Sequence, residues 1–147
     1  LGLEARRGVL LLVLAVALVF LGALVLPVGL LAQRNAERQR TALAYQQALY
    51  LAEAGAREAI RHIQLNPLLP AFGPQPVAVC RSSPVCTPSS PDYVGRYCYS
   101  SGLSGCRTSF LPPRWTVEAV GEHQGLSRRV RVVYHILNGV EAWQVDP

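Results

Sequence analysis

The chain has 147 residues, a formal charge of +5 and an apolar fraction of one half. That length fits one modest domain plus an appendage. The apolar excess sits in the first 32 residues, so the remainder fills only a small core. The charge is spread as +1 over 1–32, +2 over 33–65 and +2 over 66–147, which excludes the concentrated basic patch of a dedicated nucleic-acid binder.

The first predicted element begins at "EARRGVLLLVLAVALVFLGALVLPVGLLAQR". Arg6, Arg7 and Gly8 stand before 24 uncharged residues, 9–32. About 20 apolar helical residues span the ~30 Å hydrocarbon layer of a bilayer, so this run is long enough to cross one. It is too long for the ~7–15-residue apolar core of a secretory signal. Gly22, Pro27 and Gly29 weaken the helix locally, and Pro27 removes a backbone hydrogen bond and favours a kink.

Residues 33–65 continue the helix. They are rich in Ala, Leu, Gln, Glu and Arg, all good helix formers. Tyr45, Leu49, Ala52, Ala56, Ile60 and Ile63 are spaced 4, 3, 4, 4 and 3, which makes one apolar stripe. Glu53 and Arg57 stand four apart in the favourable order. The helix is expected to stop at "NPLLP", where Pro67 disfavours a helical Asn66. One helix over residues 10–65 is about 80 Å long at ~1.5 Å per residue, far more than a membrane needs. Its second half therefore has another surface to meet, and Val130, Val132 and Tyr134 are the expected contacts.

Residues 66–147 read as a small β-rich head. It opens with a loop, "NPLLPAFGPQPVAVCRSSPVCTPSSPD", whose seven prolines exclude a helix or a central strand. "YVGRYCYSSG" predicts a short strand. In "RWTVEAVGEHQGLSRRVRVVYHI", Trp115, Val117 and Ala119 alternate with polar residues, as do Val130, Val132, Tyr134 and Ile136. This predicts an antiparallel hairpin with one buried face, its turn marked by Gly121 and Gly125. "AWQVDP" is expected to add a short last strand.

Cys80, Cys86, Cys98 and Cys106 lie within 27 residues, with spacings unlike the paired knuckles of a zinc site. Downstream of a membrane-targeting segment they read as two disulfides in an oxidising compartment. Three pairings are open, and the short-range one, Cys80–Cys86 with Cys98–Cys106, suits an irregular, Pro-rich head.

Chemistry-bearing patterns are sparse. His62, His123 and His135 are scattered without metal-ligand spacing. No catalytic triad pattern, zinc-protease motif or phosphate loop occurs, and Glu53 and Glu58 are not on one helical face. The expectation is a non-enzymatic protein without cofactor or metal. Tyr93, Tyr97, Tyr99 and Phe110 gather around the cysteine segment with Arg96 and Arg107 nearby. Such aromatics stack on single-stranded bases in some DNA binders, but their ordinary use is core packing. A solvated face is likewise the default for Arg128, Arg129 and Arg131.

The order of basic leader, glycine, apolar helix, amphipathic continuation and Cys-bearing β head resembles the type IV pilins and the pseudopilins of type II secretion. "RRG" before "VLLLVLAVALVFL" looks like a prepilin processing site, "QALYLAEAGAREAI" resembles a segment of PilX-type minor pilins, and the hairpin is similar to their final sheet. The resemblance implies an α+β fold with four regions: a leader over 1–8, a transmembrane and filament-core helix over 9–32, its amphipathic continuation over 33–65, and a head over 66–147.

It also implies cleavage by a prepilin peptidase between Gly8 and Val9, filament-core packing by Leu12, Val16 and Phe20, and a stretch near Gly22 and Pro27 that can unwind. The implied partners are other pilin subunits and, before assembly, the cytoplasmic membrane. The implied location is the inner membrane and then the cell surface, in motility, adhesion or DNA uptake. Most pilins carry glutamate at the fifth mature position. Here cleavage after Gly8 places Val13 there and leaves Glu4 in the leader, which suits a tip or minor subunit. The alternatives are a secretion pseudopilin and a single-pass membrane protein with an extracytoplasmic binding domain.

Overall fold

A computed structural model of the chain describes residues 2–146, apart from the side chains of residues 3–5, so the side chain of Glu4 lies outside the described residues. The fold is α+β: one long helix, α1 (Gly2–Leu65), then six strands in one antiparallel sheet with two disulfides. A long N-terminal apolar helix followed by a small disulfide-bearing antiparallel sheet is a pilin-like order of elements. Contacts divide the chain into two units, Leu1–Thr41 and Ala42–Pro147. The division falls beyond the compositional boundary at 32/33, because composition marks where the apolar run ends and contacts mark where packing begins.

In the first unit α1 runs through Gly22, Pro27 and Gly29 without a break. Pro27 has no amide to give the carbonyl of Ala23, so the ladder lacks one bond there while the helix continues.

In the second unit the strands are β1 (Val77–Cys80), β2 (Tyr93–Cys98), β3 (Arg107–Leu111), β4 (Arg114–His123), β5 (Leu126–His135) and β6 (Gly139–Asp146). The sheet order is β1-β2-β4-β5-β6, and β3 pairs with the first half of β4. The β4–β5 hairpin matches Val117 with Val132 and Ala119 with Val130, which puts the alternating apolar residues on one face.

The structure differs from the sequence expectation at four points in this unit. The hairpin turn is Gln124–Gly125, both with positive φ, and Gly121 lies inside β4. The Pro-rich loop contains a strand, β1, placed at the sheet edge where proline on either side is tolerated. β3 was not anticipated, and the last strand is eight residues long rather than short.

The helical stripe is also centred differently. Ala48, Ala52, Ala56, Ala59 and Ile63 are fully buried against the sheet and Ile60 nearly so, while Tyr45 and Leu49 are half-buried on its flank. Val117, Ala119, Val130, Val132 and Tyr134 belong to the same core as Ala52, Ala56, Ala59, Ile60 and Ile63. The helix ends as Asn66 N donates to the His62 carbonyl at 3.1 Å and the Asn66 side chain accepts from Leu69 N at 3.2 Å.

Candidate functional site

The first unit presents an uncovered apolar surface. Leu12, Val16 and Phe20 are 66%, 47% and 67% exposed, and the other large side chains from Val9 to Leu31 are similarly open. α1 is long and apolar enough to cross a membrane. Apolar surface on this scale far exceeds the patches that soluble monomers leave open to water. A Cβ built on Gly8, Gly22 or Gly29 would meet nothing within 4 Å, so no packing inside this chain demands glycine there. Glycine in a helix interior costs ~1 kcal/mol relative to alanine. The use of these three glycines therefore lies outside the chain's own packing.

The second unit uses glycine in the opposite way. A Cβ on Gly121 would overlap the Ala48 carbonyl and the Ala52 amide and come within 2.8 Å of the Leu51 Cβ. A Cβ on Gly95 would meet Leu51 Cδ1 at 2.6 Å, and one on Gly55 would meet Tyr97 Cδ2 at 2.8 Å. With the alanine face of α1, these glycines let helix and sheet backbones approach closely. The sequence signal for this was available: a glycine inside an alternating strand often marks a close backbone approach.

Polar groups fix the register of that contact. The Tyr97 hydroxyl donates to the Glu58 carboxylate, and the Glu58 Oε1 lies 3.8 Å from His62 Nε2. Burial, then the Glu58 hydrogen bond, pushes the Tyr97 hydroxyl well above its usual range. Burial, then the Glu58 charge, pushes Tyr99 up as well. The Gln75 Oε1 accepts from the amides of Tyr99 and Ser100 at 2.8 and 2.9 Å, and Trp115 Nε1 donates to the Pro67 carbonyl at 2.9 Å. His123 is buried and its Nδ1 bonds the Val94 carbonyl.

The aromatics gathered around the cysteines are mostly structural. Tyr97 and Tyr99 are buried, and Phe110 stacks on Trp115 with ring centroids 4.4 Å apart. Tyr97 and Tyr99 therefore offer no free ring face to a base. Arg96 bonds Glu122 at 3.1 Å, Arg131 approaches Glu118 at 4.0 Å, and Arg128 lies over the Tyr45 ring at 4.6 Å.

The disulfides join Cys80 to Cys86 and Cys98 to Cys106, the short-range pattern. Asp92 organises the first loop. Its carboxylate accepts from the amides of Ser82 and Ser83 at 3.1 and 2.9 Å and from both serine hydroxyls. The Ser83 hydroxyl and the Ser82 amide lead in holding its pKa down at about 2. Nothing in the sequence singles out Asp92, because an isolated acid among Ser and Pro has no periodicity to reveal its partners. Among the described residues, no group of three or more His, Cys, Asp or Glu side chains is placed to hold a metal ion.

No protein-family model, curated protein or solved structure matches the chain.

Proposed function

We propose that this chain is a non-enzymatic filament subunit of the type IV pilin class, a minor pilin, anchored in the cytoplasmic membrane before assembly. The observation that carries the reading is α1 itself. It is one helix from Gly2 to Leu65 whose first part is uncovered and whose second part is built of alanine to lie on a disulfide-stapled sheet. A plain anchor needs only about 20 of those residues. Glycines at 8, 22 and 29 with open space around them suit processing at Gly8 and close helix–helix packing in lipid or in a fibre. Arginine is nearly balanced across the apolar run, with Arg6 and Arg7 before it and Arg34, Arg38 and Arg40 after it, so the proposed orientation draws its support from the disulfides, which favour an oxidising compartment for the head.

Co-expression with a prepilin peptidase tests the reading. The mature chain is expected to begin at Val9, to stay uncut when Gly8 is replaced by Val, and to appear in sheared filaments. A second reading, a single-pass membrane protein with an extracytoplasmic domain, is favoured by Val13 at the position where most pilins carry glutamate. A chain that remains uncut and stays wholly in the membrane fraction supports that alternative.

A further inference from the structure

We propose that two copies of this chain pair through their heads as a parallel dimer, in which the outer face of each α1 covers the open part of the other copy's sheet. The pairing rests on the membrane part of the reading above, which requires both helices to point the same way.

The open part of the sheet is β6. Val145, Trp143 and Val140 lie opposite Val130, Val132 and Tyr134 of β5, on the face that α1 covers. The β5 residues are buried. Their β6 neighbours remain 46%, 36% and 50% exposed, because the helix does not extend over the last strand. Strands lie ~4.8 Å apart and packed helices 8–10 Å apart, so a second helix fits beside α1 over β6.

The outer face of α1 supplies a match. Leu43, Tyr50 and Ala54 follow a 7- and 4-residue spacing on the side away from the buried alanines. Leu43 and Tyr50 are 59% and 67% exposed. The flank of α1 that borders β6 carries the Glu53–Arg57 ion pair at 3.2 Å, with Arg57 6.0 Å from the Trp143 ring, so the middle of a helix–helix seam there is charge-balanced, while exposed Arg61 lies at its end.

A twofold axis parallel to α1 satisfies every element at once. It sets the two helices side by side and parallel, sandwiched between two sheets, with each helix back on the other copy's β6. Such an isologous contact buries both patches twice. At roughly 100 Å² for each of five large apolar side chains, the two copies remove on the order of 1,000 Å² of apolar surface from water. With its polar rim this reaches the ~1,200 Å² at which stable interfaces begin.

The test is site-specific photocrosslinking of the full-length chain in native membranes, with Tyr50 replaced by p-benzoylphenylalanine. The expected product has about twice the 16.0 kDa chain mass. Its peptide map joins the α1 peptide to residues 139–146. Adding Trp143→Glu should cut the yield about tenfold, as expected for loss of a central aromatic anchor, while the far-ultraviolet circular dichroism stays that of the unsubstituted chain because Trp143 lies outside the buried core. Adducts to lipid alone, to a different protein, or to any segment other than β6 overturn the pairing, as does the absence of an adduct. A β6-linked adduct in a chain that is never cut at Gly8 keeps the dimer and removes the filament reading.

Discussion

Gly121 of β4 lies against the backbone of α1 at Ala52, so close that a Cβ on the glycine would overlap the Ala52 amide. Helix and sheet meet here backbone to backbone, between fully buried Ala48 and Ala52 on one side and Val120 and Gly121 on the other. Replacing Gly121 with Val forces the two apart along the whole contact. Overpacking of a tight core costs ~1–3 kcal/mol, and the upper end is expected where backbone atoms cannot yield. Thermal melting of the full chain in detergent should show the loss. Gly125→Ala is the contrasting control: a Cβ there meets nothing within 4 Å, so only its positive φ is strained. Equal melting temperatures for Gly121→Val and wild type would remove the close-approach account.

That contact explains which parts of the fold were legible in the sequence. The β4–β5 hairpin was legible because Trp115, Val117, Val130 and Val132 alternate over ten-residue strands with one face wet. The stripe on α1 was displaced toward Tyr45 and Leu49 because periodicity weighs large apolar residues, whereas close packing selects the small ones at 48, 52, 56 and 59. Gly121 resembles a turn glycine in the sequence for the same reason: the need for a missing side chain comes from another element. β1 and β3 have four and five residues, too few to carry a period, and each exists because a neighbouring strand offers an edge. In the apolar half, composition alone predicts exposure and bilayer length.

Tyr97 near the end of β2 and Tyr99 just beyond it are both buried and should respond differently to loss of the hydroxyl. The Tyr97 hydroxyl bonds a carboxylate, an interaction of ~1.5–3 kcal/mol, so Tyr97→Phe should destabilise the chain by about 1–2 kcal/mol. The Tyr99 hydroxyl makes no well-formed hydrogen bond among the described residues, only weaker polar approaches to Gln75, Gly73 and Glu58, so Tyr99→Phe should cost less than Tyr97→Phe and be close to neutral. Both hydroxyls have folded pKa values above the ordinary tyrosine value, so their contribution is present below pH 10 and is lost as pH rises beyond it. Ultraviolet titration should find these two silent until alkaline unfolding. If both titrate near pH 10 with the exposed tyrosines, the burial argument fails.

Asp92 ties the Cys80–Cys86 loop to the start of β2. Its pKa is lowered from 3.8 to about 2 by the serine hydrogen bonds. A depressed carboxylate pKa contributes stability that is full above the unfolded value and is lost as pH falls through the folded one. The stability gap between wild type and Asp92→Ala should therefore be constant above pH 5, narrow from pH 4 and close near pH 2. Paired melting curves across that range decide it. A gap that persists at pH 2 would mean that the carboxylate acts by something other than its charge.

The two parts of α1 should tolerate polar substitution in opposite ways. Ile60 is 8% exposed and Ala52 fully buried in the core that joins α1 to Val117, Val130 and Val132. Ile60→Asp or Ala52→Arg places a charge there without a partner, and stability should fall by about 3 kcal/mol or more, enough to unfold a small domain. Leu12 and Val16 touch nothing that a head melting curve reports, since they are 66% and 47% exposed in the unit that ends at Thr41. Leu12→Asp should leave the melting temperature of the detergent-solubilised chain unchanged. In cells it should leave the protein in the membrane, because residues 13–32 are still long enough to span it, but keep it out of the filament fraction, where the start of the apolar run is expected to pack on other subunits. Melting curves and fractionation of the same variants separate the two roles. A stable Ile60→Asp chain would mean that α1 does not pack on the sheet through this face. A Leu12→Asp chain that still enters filaments at wild-type levels would mean that the start of the apolar segment takes no part in assembly.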